Sequence, residues 1–204
     1  MIASHRPEIA AAAMESLAPW PTLLFDGRGA PSCSWVWNQC TLLCPTETVV
    51  ICNEKARPTP AHVEKVLALL NDGFGVVGLY RFGFFGFQKE LLRRIGFFDE
   101  RYTGGWYEDN DFLLRLDEAD VASYMSNEIP YLQLSSSWPH DKARAHFEAK
   151  WRMANDRWHR SLPELTMGYA LGATIPLSFL PAESSVWINA PARRERVHRS
   201  GKNT

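Results

Sequence analysis

The sequence predicts an α/β protein in which helices pack on a mostly parallel central sheet. Short apolar segments of strand length alternate with segments whose apolar residues recur at helical spacing. Of the 204 residues, 46% are hydrophobic, which is enough for one sizeable core. Polar residues also follow the early predicted strands, at the sheet edge where α/β proteins bind their ligands.

Each element is predicted from its own pattern. A strand is predicted where β-branched residues run together, as at 49–51, and a helix where apolar residues recur every three or four positions, as at 63–70. In chain order we predict an apolar segment at 1–4, a helix at 8–17, a strand at 22–25, a helix at 34–43, a strand at 48–52, a helix around 63–70, a strand at 75–80, and helices at 88–95, at 109–117 and from 141 onward.

Beyond residue 165 the pattern becomes irregular, because glycine and proline interrupt every apolar run. The sequence therefore predicts one domain over residues 1–165 and a C-terminal extension over 166–204 that ends in a basic tail. We expect the extension to pack in part on the same domain.

Charge and composition argue against several kinds of partner. The formal net charge is -1, which gives no electrostatic case for nucleic acid or for an anionic membrane. The four cysteines lack the spacing of metal or redox motifs and are predicted to be reduced and mostly buried. We find no charged leader and no apolar run near about 18 residues, so we expect a cytoplasmic protein, or one of a host cytoplasm, with no membrane span.

An acidic segment beside an indole is the most informative local pattern. Trp106 precedes Glu108, Asp109 and Asp111, and an indole face beside carboxylates suits a polyhydroxylated ring. Crowded carboxylates repel one another, so one of them is a candidate general base. The alternative is that Asp109 only caps the helix that follows, since aspartate is favoured at helix N-caps. Both interpretations remain open.

Three stretches of the chain together resemble the GT-A nucleotide-sugar glycosyltransferases, particularly the inverting family 2. The segment Ser4-His5-Arg6 resembles the end of that family's first strand, and residues 38–55 resemble its run toward an acidic Asp-x-Asp motif. The third and most specific stretch lies within residues 83–116 and follows the family's acceptor-side signature, which ends in a Glu-Asp-x-Asp element. The resemblance spans most of residues 1–160.

The resemblance implies a Rossmann-like, three-layer GT-A sandwich that transfers a sugar from a nucleoside diphosphate sugar to an acceptor hydroxyl of a glycan, with inversion. Asp109 takes the position of the catalytic base. The implied acceptor-binding residues are Trp106, Glu108 and Asp111, and the implied nucleotide-sugar-binding residues are Ser4, Arg6, Asp26, Asn38, Asn53 and Lys55.

The family uses a divalent metal, Mn²⁺ or Mg²⁺, and this chain departs from the motif that holds it. Lys55 stands where the family has a metal-binding aspartate, and an ammonium has only donors. We therefore expect Lys55 to neutralise the diphosphate itself, with low or partial metal dependence. Glu54 and His140 are the candidate metal ligands, although His140 is more readily explained as a surface histidine.

A non-catalytic domain of the same fold is the alternative function. It would bind a nucleotide sugar or a glycan, or would support a partner enzyme. The lysine at position 55 favours this alternative, whereas the intact Glu108-Asp109 pair favours an enzyme.

Overall fold

The computed structural model describes residues 1–132, 141–151 and 186–189. The helices of the described part are α1 (Pro7–Ser16), α2 (Cys33–Leu43), α3 (Pro60–Asn71), α4 (Glu90–Ile95), α5 (Glu108–Glu118) and α6 (Asp141–Trp151). The strands are β1 (Ile2–Ser4), β2 (Leu24–Asp26), β3 (Thr48–Asn53), β4 (Val76–Phe82), β5 (Phe84–Gln88), β6 (Ser123–Ser126) and β7 (Val186–Asn189).

The strands form one mixed sheet in the order β2-β1-β3-β5-β4-β6-β7. β1, β2, β3, β4 and β6 run in one direction, whereas β5 and β7 run against them. The predicted α/β class with a mostly parallel sheet is therefore confirmed. No helix among the described residues has both the length and the apolar character needed to cross a membrane.

Helices cover both faces of the sheet because neighbouring strand residues point to opposite sides. Phe85 and Phe87 pack into the cluster formed with α2, α4, α5 and α6, while Phe84 packs into the cluster formed with α1 and α3. Phe98 and Phe112 stack with ring centroids 4.1 Å apart and join α5 to the segment that follows α4. The result is a helix–sheet–helix arrangement with an apolar layer on each side of the sheet.

The strand order reverses at β1, and this reversal positions the candidate site. β1 pairs in parallel with β2 on one side and β3 on the other, with Ser4 opposite Asp26 and Ala3 opposite Asn53. The polar ends of these strands therefore lie side by side at the carboxyl edge of the sheet. In open α/β sheets a crevice at such a reversal is the usual place for a ligand.

Several predicted boundaries need correction. The helix predicted at 88–95 begins at Glu90, because residues 84–88 form the antiparallel strand β5, which was not predicted. β6 and β7 were not predicted either. Most of the predicted extension, 166–204, lies outside the described residues.

Candidate active site

The turn after β1 is held by hydrogen bonds that leave one cation facing solvent. The buried hydroxyl of Ser4 accepts a hydrogen bond from the Arg6 amide at 3.0 Å, so Ser4 shapes the turn. His5 Nδ1 donates to the Gly27 carbonyl oxygen at 2.8 Å and joins this turn to the end of β2. The Arg6 side chain is exposed and forms no ion pair with any residue that the structure describes.

The loop after β3 is also fixed by its own backbone contacts. Asn53 Oδ1 accepts a hydrogen bond from the Lys55 amide at 2.9 Å. On its other side, the Leu132 amide donates to the Lys55 carbonyl oxygen at 3.0 Å. Arg57 Nη1 donates to the Glu54 carbonyl oxygen at 2.7 Å. These contacts fix the backbone from which the Lys55 side chain projects.

The Lys55 ammonium lies against an aromatic ring instead of a carboxylate. Its Nζ is 5.8 Å from the centroid of the Tyr131 ring, within the range of a cation–π contact. Tyr131 stacks in turn on Tyr80, with centroids 4.2 Å apart and an interplanar angle of 8°. Within the described part of the chain, Lys55 forms no ion pair, so its charge is not neutralised by a bonded carboxylate.

Glu54, next to Lys55 in the loop after β3, is a buried carboxylate. Its side chain is only 2% exposed, and Oε2 has no hydrogen-bond partner among the described residues. Burial raises the pKa of Glu54, while the charges of Lys55, His5 and Arg6 act in the opposite direction. No group of three or more metal-ligating side chains exists among residues 1–132, 141–151 and 186–189. His140, the second predicted metal candidate, lies outside the described residues.

The entry to α5 is a strained turn braced by Glu108. Trp106 has φ 117° and Tyr107 has φ 69°. Both values lie in the left-handed region that residues other than glycine rarely adopt. The Glu108 carboxylate, 6% exposed, accepts a hydrogen bond from the Trp106 amide. The turn is tied to the start of α2, because the Cys33 amide donates to the Gly104 carbonyl oxygen at 2.8 Å. Glu108 thus supports the turn that carries Trp106, whose side chain is partly buried against the core.

The helix-cap interpretation of Asp109 is wrong. The N-cap is Tyr107, in a left-handed conformation without a side-chain cap, and Asp109 is the second residue of α5. Its Oδ1 accepts a hydrogen bond from the Asn110 amide at 2.9 Å, and its side chain is less buried than that of Glu108.

Burial makes both carboxyl groups weaker acids. It raises the pKa of Glu108, with a further contribution from the charge of Asp109. It also raises the pKa of Asp109, although the Asn110 amide and the Arg81 guanidinium partly offset the shift. Asp109 lies at a helix N-terminus, which favours the charged form of a carboxylate, but desolvation outweighs that effect and the pKa is raised. A carboxylate with a raised pKa is a better general base near neutral pH.

Sequence reasoning missed Arg81, which accompanies this pair. It is 4% exposed at the end of β4, with a φ of 43°. Burial lowers its pKa to about 10, and the charge of Asp109 opposes this shift. Arg81 thus supplies a buried positive charge in the surroundings of Asp109. An arginine inside an apolar strand is the only signal that the sequence carries.

Cys33 connects the strand ends to the start of α5. Burial raises the pKa of its thiol, and charges act on it from Glu108 and Asp109 as well as from Glu54 and Lys55. The Cys33 thiol in turn lowers the pKa of Glu108, against the effect of burial. The cation-bearing loop and the carboxylate pair therefore share one neighbour, although 50 or more positions separate the two segments in the sequence.

Two residues that were predicted to contact the nucleotide have partners within the protein instead. Asn38 is buried, and its amide donates to the Phe98 carbonyl oxygen at 2.9 Å and to Glu100 Oε1 at 2.8 Å, so it anchors a loop to α2. Asp26 is exposed and paired with Arg28, whose hydrogen bonds lower its pKa. Asn38 therefore has no free donor for a ligand, whereas Asp26 can reach one by exchanging its partner.

Asp111 was predicted to contact the acceptor, but its carboxylate lies in the core. It is 0% exposed and accepts from Tyr102 Oη at 3.3 Å, Arg115 Nε at 3.0 Å and Trp151 Nε1 at 3.0 Å. Lys150 Nζ lies 2.6 Å from it as well. Four donors saturate this carboxylate, so Asp111 is an anchor of α5.

Comparison with known proteins gave no relatives from which a role could be transferred: no protein-family model, curated protein or solved structure matches the chain.

Proposed function

We propose that this protein is an inverting glycosyltransferase of the GT-A type, which moves a sugar from a nucleoside diphosphate sugar to a hydroxyl of a glycan acceptor. One observation carries the proposal. Arg6 and Lys55, two cations without a bonded carboxylate among the described residues, follow the neighbouring parallel strands β1 and β3. The turn that leads to Asp109, whose pKa is raised, is bonded to the start of α2 at Cys33, and the charges of Lys55 and Asp109 both act on the Cys33 thiol.

The strand-end segments suit the donor. Arg6 and Lys55 provide positive charge for the diphosphate, and phosphate oxygens bind strongly to charged donors. Glu54 is only 2% exposed, so its carboxylate is not assigned a contact with the donor. Asp26 and Asn53, at the neighbouring strand ends, lie beside the nucleoside in this arrangement.

The start of α5 suits the acceptor and the chemistry. The Trp106 indole offers a face to the sugar ring, and Asp109 removes the proton from the acceptor hydroxyl. The acceptor oxygen attacks the anomeric carbon as the bond from that carbon to the diphosphate oxygen breaks. The nucleoside diphosphate leaves with the electron pair, and Lys55 and Arg6 stabilise its charge. Glu108 keeps the turn in place and does not take the proton.

Donor binding in the absence of metal is the first test. With EDTA present, we expect at least one of the UDP-, GDP- or dTDP-sugars to raise the free energy of unfolding by ~2.7 kcal/mol at about 100 times its Kd. Lys55→Ala should weaken the binding of that donor about tenfold or more, since charge-assisted hydrogen bonds contribute ~1.5–3 kcal/mol. The matched control is Lys65→Ala, because Lys65 is already paired with Glu128 at 2.5 Å.

Equal affinity of Lys55→Ala and wild type for the best donor would contradict the donor site. A complete loss of binding in EDTA, restored by Mn²⁺, would mean that a metal performs the role assigned here to Lys55.

A second candidate is a non-catalytic domain that binds the same ligand, alone or beside a partner enzyme. Lys55 favours it, because a lysine stands where the resembled family holds its metal. Donor binding without any consumption of the donor, with a panel of sugar acceptors present, would select this candidate.

A further inference from the structure

We infer that Tyr131, backed by Tyr80, is a positioning residue: its ring holds the Lys55 ammonium as an anion-binding group for a diphosphate without neutralising it. The inference rests on the proposed function, because it assigns the means by which the same donor site binds phosphate. It concerns a residue that the sequence did not single out.

The chain is built to hold this ring beside Lys55. The segment that carries Tyr131 pairs with the loop after β3 through a bridge between Ala56 and Tyr131. The hydrogen bond from the Leu132 amide to the Lys55 carbonyl oxygen adds to that pairing. The backbones that carry the ring and the lysine are therefore paired with each other.

The two stacked tyrosine rings are packed tightly against the backbone at Gly83. Tyr80 covers one face of Tyr131 in a nearly parallel arrangement. A Cβ atom at Gly83 would lie 2.8 Å from Tyr80 Cδ1, closer than real contacts permit, and 3.0 Å from Tyr131 Cε2, which is tighter than most real contacts. A glycine at position 83 therefore allows the two rings to stack.

An aromatic partner can hold an ammonium without cancelling its charge, whereas a carboxylate cannot. A carboxylate would hold the ammonium but would cancel its charge, so that an incoming phosphate would have to displace it. The face of a ring attracts the ammonium more weakly and leaves its positive charge intact. The lysine side chain, which otherwise samples many rotamers, is thereby held near one place before the anion arrives.

A second lysine–tyrosine pair shows the contrast. Lys65 Nζ lies 5.6 Å from the centroid of the Tyr124 ring, a distance like that of the first pair. Lys65 is also bonded to Glu128, and the Tyr124 hydroxyl donates to the same carboxylate at 3.0 Å. The charge of Lys65 is therefore balanced, whereas that of Lys55 is not balanced by a bonded group in the described part of the chain.

Calorimetric titration with inorganic pyrophosphate, in EDTA, tests the inference. We expect wild type to bind and Lys55→Ala to bind at least about tenfold more weakly, as expected for a lost charge-assisted bond. Tyr131→Leu should weaken binding by about three- to tenfold, which corresponds to a cation–π contact. Tyr131→Phe keeps the ring and should stay within about twofold of wild type. The matched control, Tyr124→Leu, should leave the affinity unchanged.

A second measurement does not depend on binding. In wild type the ε-methylene protons of Lys55 should show an upfield ring-current shift in a lysine-labelled NMR spectrum. The shift should remain in Tyr131→Phe. The shift should disappear in Tyr131→Leu. If Tyr131→Leu does not fold, Gly83→Ala takes its place, and the shift should disappear in that variant.

The outcomes separate the inference from the proposed function. If wild type fails to bind pyrophosphate without metal, or if Tyr131→Leu binds as well as wild type while Lys55→Ala does not, the inference is overturned. If the pyrophosphate pattern holds but no nucleotide sugar is bound or consumed, the inference stands and the glycosyltransferase proposal fails.

Discussion

The first turn of α5 presents two aspartates in opposite surroundings. Asp111 is fully buried and bonded to four donors, two of them on α6. Asp109, two positions earlier, is partly exposed, and its shifted pKa reflects burial and the nearby charge of Arg81. Residues two apart on a helix point roughly 200° from each other. One acidic motif thus divides into an inner anchor and an outer reactive group.

The inner face shows why the anchor is needed. Lys150 lies between Asp99 and Asp111, at 2.8 Å and 2.6 Å, and so ties α6 to two parts of the domain at once. α6 also contacts the strained turn itself, because the Phe147 ring packs against Tyr107 with centroids 5.2 Å apart. A turn in an unfavourable conformation persists only where its surroundings determine it.

The largest effect is expected on the inner face. Asp111→Asn leaves Lys150 and Arg115 without their full counter-charge in the core, and breaking a buried pair costs ~3 kcal/mol or more. Urea denaturation should therefore show a large fall in the free energy of unfolding. Asp109→Asn is the matched control and should change stability by about 1 kcal/mol at most. Equal losses in the two variants would mean that the faces are not distinct.

The next effect is expected on the outer face. Asp109→Asn keeps the shape but removes the base, so turnover should fall by ~10²-fold or more while donor affinity stays nearly unchanged. Glu108→Gln can still accept the Trp106 hydrogen bond and should lose much less. If Glu108→Gln abolishes turnover and Asp109→Asn does not, the base is Glu108. If both keep normal turnover, the acidic cluster is structural.

The smallest expected effect is a pH dependence of stability that tests the role of Glu108, which lies between the two faces. Burial raises its pKa above the ordinary value of 4.5, so the folded state favours the protonated form. Its contribution to stability is therefore fully present below pH 4.5 and is lost as the pH rises through the raised pKa. Relative to wild type, Glu108→Gln should become steadily more stable as the pH rises above 4.5. Parallel stability curves for the two proteins would contradict this assignment.

Local periodicity predicted most of the helices but not all of the sheet. The helix predicted at 34–43 is α2, which begins one residue earlier and ends at the predicted residue, because its apolar spacing is regular. β5 was missed because glycines interrupt its phenylalanines and give it the pattern of a loop. Gly86 is required there by packing, since a Cβ atom would lie 2.5 Å from Val66 Cγ1. That contact joins remote segments and leaves no local signal.

The sequence predicted part of the candidate site, as it predicted part of the sheet. Residue types and spacing indicated the acidic motif and the polar strand ends. They could not show that Asp111 and Asn38 face the core, because adjacency in sequence does not define which side of a helix meets the sheet. Cys33, Arg81 and Tyr131 reach the site only through pairings between distant segments, so no local pattern distinguished them.

The stereochemistry of sugar transfer tests the central claim most directly. Proton NMR can follow the anomeric signal of the first product formed by wild type from an α-linked nucleotide sugar. A single displacement with Asp109 as the base predicts a β-linked product, formed at least ~10²-fold more slowly by Asp109→Asn. An α-linked product, or bound donor that is never consumed with any sugar acceptor, would contradict the account.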